Sequence, residues 1–373
     1  MTKVSLLYAK SGGGHLSLAT ATAQALDKYY PGKFTYTFFD PFPAITATAY
    51  KRLSIQMQQL WKFSYEATNT PQFSSFIHDI TNLTLTDKLV AHFKKYRPDI
   101  IVTNNPLITT EMQSALTKSG ITAKTVVIFA DPFTAHETWF NYKTADLYLS
   151  PTPEVTRLAI DHYLPASKIQ TTGWLTRDQF IPGPCDKTTA RTHLGLNPGL
   201  FTVFVGGGGQ GGGKVYAVCE AILSHPYLLS HSQLIVNTGI NSQLVTKIMK
   251  LAQIIPSFFY IIPLAHNMHT LLSASDLVVG KAGPNFLFES VHTLRPLLAT
   301  GCLPGQEEGN LDFIRKAKIG WVEENPDKAA ALIDKIARRP DSLAAFTPRL
   351  REVKSQNIDS ARHIADAVAG LVL

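Results

Sequence analysis

The stretch LLYAKSGGGHLSLATATAQAL, residues 6–26, passes from an apolar segment through three consecutive glycines and a histidine into a run of good helix formers. Leu6, Leu7 and Tyr8 suit a buried strand, whereas Leu16, Ala19, Ala23 and Leu26 recur at helical spacing. The glycines therefore fall at a strand-to-helix turn, where positive φ and close approach of another group to the backbone are tolerated. Exposed amides at a helix start favour anions and polar oxygens, so His15 is expected at the rim of a pocket.

The pattern returns at residues 200–223, LFTVFVGGGGQGGGKVYAVCEAIL, with Val215, Val218, Cys219 and Ile222 on one helical face. Between the two starts, FTYTFF, DIIVTNN, TVVIFAD and DLYLSP alternate with helical stretches; QLIVNTG, FFYIIPL, DLVVGKAG and RPLLATG do so after the second. Alternation of this kind builds parallel sheets with helices on both faces, and two rounds of it predict an α/β protein of two Rossmann-like domains. Prolines, glycines and polar residues cluster at residues 171–189, TTGWLTRDQFIPGPCDKTT, which places the boundary there. Residues 1–175 then form the first domain, 176–355 the second, and 356–373 a helix that packs back on the first. Open α/β sheets bind ligands beyond the carboxyl ends of their strands, so an interdomain cleft is expected to hold them.

With 45% apolar and 17% charged residues in 373, the chain has the composition of a globular protein with ample core. No apolar run approaches the roughly 18 residues of a spanning helix. Met1 to Ala9 reads as a strand followed at once by glycines, not as a secretory signal, and the expected location is cytoplasmic. Cys185, Cys219 and Cys302 form no CxxC or metal-ligand cluster and are expected as buried reduced thiols. The net charge is +7, and between Lys51 and Arg97 seven basic residues stand against three acidic ones, together with Trp61, Phe63, Tyr65, Phe73 and Phe76. Basic residues mixed with aromatics suit an anionic membrane surface. The alternative is a solvated helical region whose aromatics are core.

Residues 206–214, GGGGQGGGK, satisfy two nucleotide-binding patterns, and both fail on a neighbour. Gly208 to Lys214 reads GxxxxGK, but Val215 stands where a P-loop needs Ser or Thr for magnesium. Gly206, Gly208 and Gly211 read GxGxxG, but the following strand ends in Asn237 instead of a ribose-gripping carboxylate. The segment DLVVGKAGPNFLFESV, residues 276–291, is more discriminating. Its strand runs into a turn with Pro284 at a helix start, Lys281 beside that start, and Glu289 further along. Lys281 is placed to oppose a diphosphate held by backbone amides, and Glu289 to reach sugar hydroxyls; taken alone, Glu289 reads equally as a surface carboxylate. In RPLLATGCLPGQEEGNLDFI, residues 295–314, Gln306, Glu307, Glu308 and Asn310 crowd one loop after a strand. Such a group suits several vicinal hydroxyls, or an ordinary polar loop with a helix cap.

In order, SGGGH, GGGGQGGG, KAGPNFLFES and PGQEEGN resemble the monogalactosyldiacylglycerol synthases and related diacylglycerol glucosyltransferases, which share a family with the N-acetylglucosaminyl transferase of peptidoglycan lipid synthesis. PDIIVTNNPL and FADPFTAHETWF extend the resemblance through the first half. It implies a GT-B fold, a UDP-sugar donor held chiefly by the C-terminal domain, and inversion at the anomeric carbon. On this resemblance Gly207, Gly208, Gly209, Gln210 and Gly211, the turn Lys281, Ala282, Gly283, Pro284 and Asn285, and Asn310 bind the donor. Within it Glu289 takes the ribose, Gln306 and Glu307 the hexose, and Leu264 and Met268 the base. Gly13, Gly14 and His15 face the acceptor hydroxyl, with Asp131 and His136 nearby. The sequence departs from the family where Gln210 and Gly212 replace Glu and Met, Asn285 replaces Gly, and Leu175 replaces Pro.

These readings give an inverting transferase moving a hexose from UDP to a membrane lipid such as diacylglycerol, peripheral on the cytoplasmic face of a membrane. His15 is the first choice of base and Asp131 the second. With no DxD triplet in the chain, neither a metal nor any other cofactor is expected beyond the UDP-hexose substrate, and nucleic acid is not an expected partner. A UDP-sugar epimerase and a non-catalytic nucleotide-sugar-binding subunit are the alternatives.

Overall fold

Strands that are apolar on both faces must be covered on both faces, and the chain meets that requirement with two parallel sheets, each flanked by helices. The structure, a computed structural model, describes residues 1–10, 13–263, 265 and 267–373; the side chains of residues 47, 49, 50, 51, 55 and 56 lie outside the description. The chain divides into two units. One comprises Met1–Asp178, Pro304–Gln306 and Asn357–Leu373, the other Gln179–Leu303 and Glu307–Gln356.

The first unit holds β1 (Thr2–Leu7), β2 (Phe34–Phe39), β3 (Ile100–Thr103), β4 (Lys124–Ile128), β5 (Leu147–Ser150) and β6 (Ile169–Thr171). They pair in parallel in the order β2-β1-β3-β4-β5-β6. Val4 stands between Tyr36 and Ile100, so β1 is paired on both edges. Because successive side chains alternate faces, Val4 and Leu6 join one cluster with Leu18 and Leu26, while Leu7 joins the opposite one with Leu89, Phe93 and Met112. The glycine turn leads into the helix Gly14–Tyr29, which buries Ala19, Ala23 and Leu26 and leaves Leu16 exposed in the first turn. The C-terminal helix Ser360–Ala369 covers that helix with Ile364, Ala365 and Val368. Asn357 Oδ1 accepts Trp174 N–H at 2.7 Å, and Tyr30 donates to Asp366 at 2.9 Å.

In the second unit β7 (Phe201–Gly206), β8 (Ser232–Asn237), β9 (Phe259–Ile262), β10 (Leu277–Lys281), β11 (Leu297–Gly301) and β12 (Gly320–Val322) pair in parallel in the order β12-β11-β10-β7-β8-β9. The helix after the second glycine turn, Val215–Ile222, buries Val215, Val218, Cys219 and Ile222.

Each sheet reverses its strand order once. From β1 the chain moves to β2 on one side and later returns to β3 on the other; β7 stands likewise between β8 and β10. Loops leaving adjacent strands to opposite faces open a crevice at such a point. The glycine turns follow β1 and β7, at the two reversals.

The cysteine expectation needs one correction: Cys219 is buried and Cys302 half-buried, but Cys185 is exposed. It follows Pro182, Gly183 and Pro184, where the chain between sheets cannot form a covered element. Among the described residues no helix is long and apolar enough to cross a membrane.

Candidate active site

His15 stands at the reversal of the first sheet. Gly13 caps the helix with φ 87°, a left-handed conformation natural to glycine, and places Gly14 and His15 in the first helical turn. The loop after β3 then fixes the ring. His15 Nδ1 lies 2.7 Å from the carbonyl of Asn104, which can only accept, so Nδ1 carries the proton and Nε2 keeps its lone pair. Asn104 Nδ2 donates to the His15 carbonyl at 2.7 Å, and Asn105 Nδ2 approaches Nε2 at 3.3 Å. Burial pulls the His15 pKa below 6.5, opposed by its bonds to Asn104 and by the charge of Asp40. The imidazole is therefore neutral at pH 7. Sequence reasoning quoted the two asparagines without giving them a role; consecutive amides at the carboxyl end of the strand beside β1 were the available signal.

Asp131, just past β4, is buried and accepts the Trp139 indole N–H at 2.8 Å. Gln306, in the short segment that belongs to the first unit, donates to its other oxygen at 3.0 Å. His136 caps the turn Glu137–Trp139: its Nδ1 accepts the Thr138 N–H at 3.2 Å, and Nε2 faces Thr68 Oγ1 at 3.2 Å. Burial pushes its pKa down to about 4. The ring packs edge-on against Tyr65, whereas the nearby Trp139 packs on Phe129. His15 and Asp131 thus stand on different loops with different partners.

In the second unit the glycine loop folds on itself. A side chain on Gly207 would lie 1.9 Å from the Gly212 carbonyl, and one on Gly211 would lie 2.1 Å from that of Thr238. Gly211 N–H donates to Gly208 O at 3.0 Å and Gly212 N–H to Gly207 O at 2.9 Å, so two of the loop amides close the turn. Gly209 O accepts the Ile240 N–H at 2.9 Å, while the Gln210 side-chain oxygen is buried without a partner among the described residues. Lys214 reaches the Glu324 carbonyl at 2.5 Å, away from any P-loop role. Gly208 and Gly209 are exposed at the tip.

The turn after β10 lies beside this loop: the Cβ that Gly213 lacks would fall 3.4 Å from Lys281 Cβ. Lys281 Nζ is 2.5 Å from both oxygens of Glu307, and Glu307 Oε2 also accepts Leu303 N–H at 2.6 Å. Asn310 is buried and donates to Ala282 O at 2.7 Å, which fixes the turn from below. Gly283 caps and Pro284 begins the helix Pro284–His292, with Asn285 half-buried in its first turn. Glu289 is only 5% exposed, which removes the reading of it as a surface carboxylate. Met268 opens the helix Met268–Ala274 and is half-buried; Leu264 lies outside the described residues. The structure therefore joins Lys281, Glu307, Ala282 and Asn310 into one group.

A family model described as monogalactosyldiacylglycerol (MGDG) synthase matches residues 18–174. The chloroplastic monogalactosyldiacylglycerol synthase 1 of Arabidopsis thaliana is 25% identical over 343 residues, 89% of this chain. The family resemblance is to the monogalactosyldiacylglycerol synthases. The chain spans 64% of the length of that Arabidopsis relative. Among solved structures, MurG of Acinetobacter baumannii matches with a TM-score of 0.61 at 14% identity, covering 99% of this chain and 100% of that one. Anabaena HepE in complex with UDP also matches at 0.61 and 14%, covering 100% of this chain and 99% of that one. The fold is GT-B, two parallel six-stranded sheets with flanking helices.

Proposed function

We propose that the protein is an inverting glycosyltransferase that moves a hexose from a UDP-sugar to a membrane lipid hydroxyl, diacylglycerol being the favoured acceptor. The observation that carries this reading is the fixed tautomer of His15: a neutral imidazole whose Nδ1–H is tied to Asn104 O leaves Nε2 as a base. The likeness to monogalactosyldiacylglycerol synthases supplies the substrate classes, and the UDP held by HepE supports the donor.

In the proposed reaction Nε2 of His15 takes the proton of the acceptor hydroxyl as its oxygen bonds to the anomeric carbon. The bond from that carbon to the diphosphate oxygen breaks, and its electron pair leaves with UDP. Lys281 and the start of the helix Pro284–His292 are the groups suited to the negative charge that develops there. Glu289 and Met268 serve the nucleoside, and Gln306 and Glu307 the hexose. Asp131 is the second choice of base. His136 fits that role poorly, because a pKa of about 4 makes it a weak proton acceptor.

The acceptor is proposed to be reached from the membrane face by the helices Gln58–Thr68 and Pro71–Tyr96. All residues of the first are half-buried or exposed, and Phe63, Phe73 and Phe76 are 69%, 53% and 57% exposed. Exposed rings in a segment that also carries Lys62 and Arg52 have the chemistry of an anionic lipid interface. The test is incubation with a panel of UDP-sugars and diacylglycerol vesicles, with products read by mass spectrometry. A glycosylated diacylglycerol is expected. A new UDP-sugar formed without acceptor identifies an epimerase, and UDP binding without turnover of any donor identifies a binding subunit; either result overturns the reading.

A further inference from the structure

His78 and Glu111 were absent from every motif, yet they form the most deeply buried acid–base pair described in the first unit: 3% and 0% exposed, with Nδ1 2.9 Å from Oε1. The imidazole faces an acceptor at each nitrogen, because Nε2 lies 3.1 Å from the Thr138 carbonyl. A carbonyl can only accept, so Nε2 donates to Thr138, while Nδ1 lies between Glu111 Oε1 and the Thr110 hydroxyl at 2.8 Å. The Thr110 hydroxyl is also 3.1 Å from Glu111 Oε2, and Thr81 donates to Glu111 Oε1.

A buried polar pair, ionised or not, is a poor device for stability alone, since packed apolar residues do as well or better. What the pair supplies is direction. It lies where the helix Pro71–Tyr96, the helix Thr109–Ser119 and the turn Glu137–Trp139 meet, and its outward bond enters that turn at Thr138. The next residue, Trp139, is fully buried and donates its indole N–H to Asp131 at 2.8 Å. The same turn is held to His136 by the Thr138 and Trp139 amides. Burial is the main cause of the low His136 pKa, and the neighbouring His78 adds to the lowering. The helix that carries His78 is also the one that exposes Phe73 and Phe76, and it grips the chain just past the turn through Ser74 and Asn141.

We infer that His78 and Glu111 are a positioning pair that orients Asp131 through Thr138 and Trp139, linking the aromatic-bearing helix to the acceptor side of the reaction. The inference rests on the transferase reading for the role of Asp131, but not for the chain of contacts. Two measurements on the full-length protein test it. In the first, kcat is compared for wild type, His78→Phe, Asp131→Asn and the double variant. His78→Phe is expected to lower kcat by about 10- to 100-fold with donor KM within about twofold, as loss of alignment does. In the Asp131→Asn background the same change is expected to have an effect of less than about threefold, because contacts in one network are not additive. In the second, the Trp139 indole N–H resonance, assigned with Trp139→Phe, is followed by NMR. It is expected to shift away from its hydrogen-bonded position in Glu111→Gln, and to return part-way in His78→Gln relative to His78→Phe, since glutamine keeps one donor. If His78→Phe does not fold, the Gln variants carry both measurements. Independent, multiplicative losses in kcat, or an unmoved indole resonance, overturn the inference. Absence of transfer by the wild type counts against the proposed function alone, and the indole resonance still decides the pair.

Discussion

Lys281 and Glu307 set up a competition that can be measured directly. The Lys281 ammonium is proposed to meet a donor diphosphate, yet it already contacts both oxygens of Glu307 at 2.5 Å. Donor binding must therefore replace at least one of these charge-assisted bonds, and the carboxylate so released is the group proposed for the hexose hydroxyls. Glu307→Gln removes the competing charge while keeping an oxygen for Leu303 N–H, now 2.6 Å from Oε2. Hydrogen bonds to charged groups contribute about 1.5–3 kcal/mol each, and the Lys281 side chain, 25% exposed, retains some solvent screening. A gain of about 1–2 kcal/mol in UDP affinity is expected, or about 5- to 30-fold. UDP-hexose is expected to gain less, because the hexose loses its carboxylate, so the preference for UDP-hexose over UDP narrows. Lys281→Met is expected to weaken both. Isothermal titration of UDP and UDP-galactose into the three proteins is the assay. If Glu307→Gln binds UDP no more tightly than wild type, the carboxylate does not compete for the ammonium and the assignment of Lys281 to the diphosphate fails.

His15→Ala is expected to lower turnover by about 100-fold or more while UDP affinity stays within about twofold, as for loss of a general base; near-normal turnover transfers the role to Asp131. Because burial holds the His15 pKa below 6.5, kcat/KM is expected to be flat through neutral pH and to fall only in more acidic buffer. An acid limb centred above pH 7 refutes this. His292 is fully buried, both its ring nitrogens lack a partner among the described residues, and burial pushes its pKa down to about 4 from 6.5. The unfolded chain therefore takes the proton first, and the stability present above pH 6.5 is lost as pH falls toward 4. At pH 5 that loss is about 2 kcal/mol, so His292→Leu is expected to narrow the Tm gap between pH 7.5 and pH 5 by about 4–8 °C for a unit of this size. An unchanged gap shows that the folded site takes up the proton freely. Finally, Phe73→Ser with Phe76→Ser is expected to weaken sedimentation with anionic vesicles by at least about tenfold, from the apolar area removed. Equal sedimentation moves the membrane surface elsewhere.

The architecture was legible because it rests on periodicities. LLYAKSGGGHLSLATATAQAL switches from a strand pattern to a helical one within a few residues, and Val215, Val218, Cys219 and Ile222 mark a buried face that the structure reproduces. Partners were not legible in the same way. Asn104 meets His15 across 89 positions, and Lys281 meets Glu307 across 26. Both contacts are created by strand order, which places β3 beside β1 and β11 beside β10. Asn310 shows the other limit. Its residue type suits sugar hydroxyls, but its amide is spent on the Ala282 carbonyl, a choice made by the pitch of one helix against one turn. His78 and Glu111 left no signal, since a histidine and a glutamate on two helices read as ordinary polar positions until packing buries both.

The two glycine turns illustrate how one backbone device acquires different chemistry. Each follows the strand at which its sheet reverses order, where adjacent loops part and main-chain groups are left at the mouth of a crevice. What differs is the neighbouring loop. After β3 it supplies the main-chain carbonyl of Asn104, which fixes the His15 tautomer and leaves a lone pair, the group proposed to take a proton. After β10 it supplies a lysine and the start of a helix, the groups proposed for the departing diphosphate. Proton acceptance and diphosphate departure are the two halves of hexosyl transfer to a hydroxyl. On the proposed function a glycine turn alone therefore predicts neither half; the side chain beside it does, and His15→Ala or Lys281→Met is expected to lower one half while leaving the other measurable.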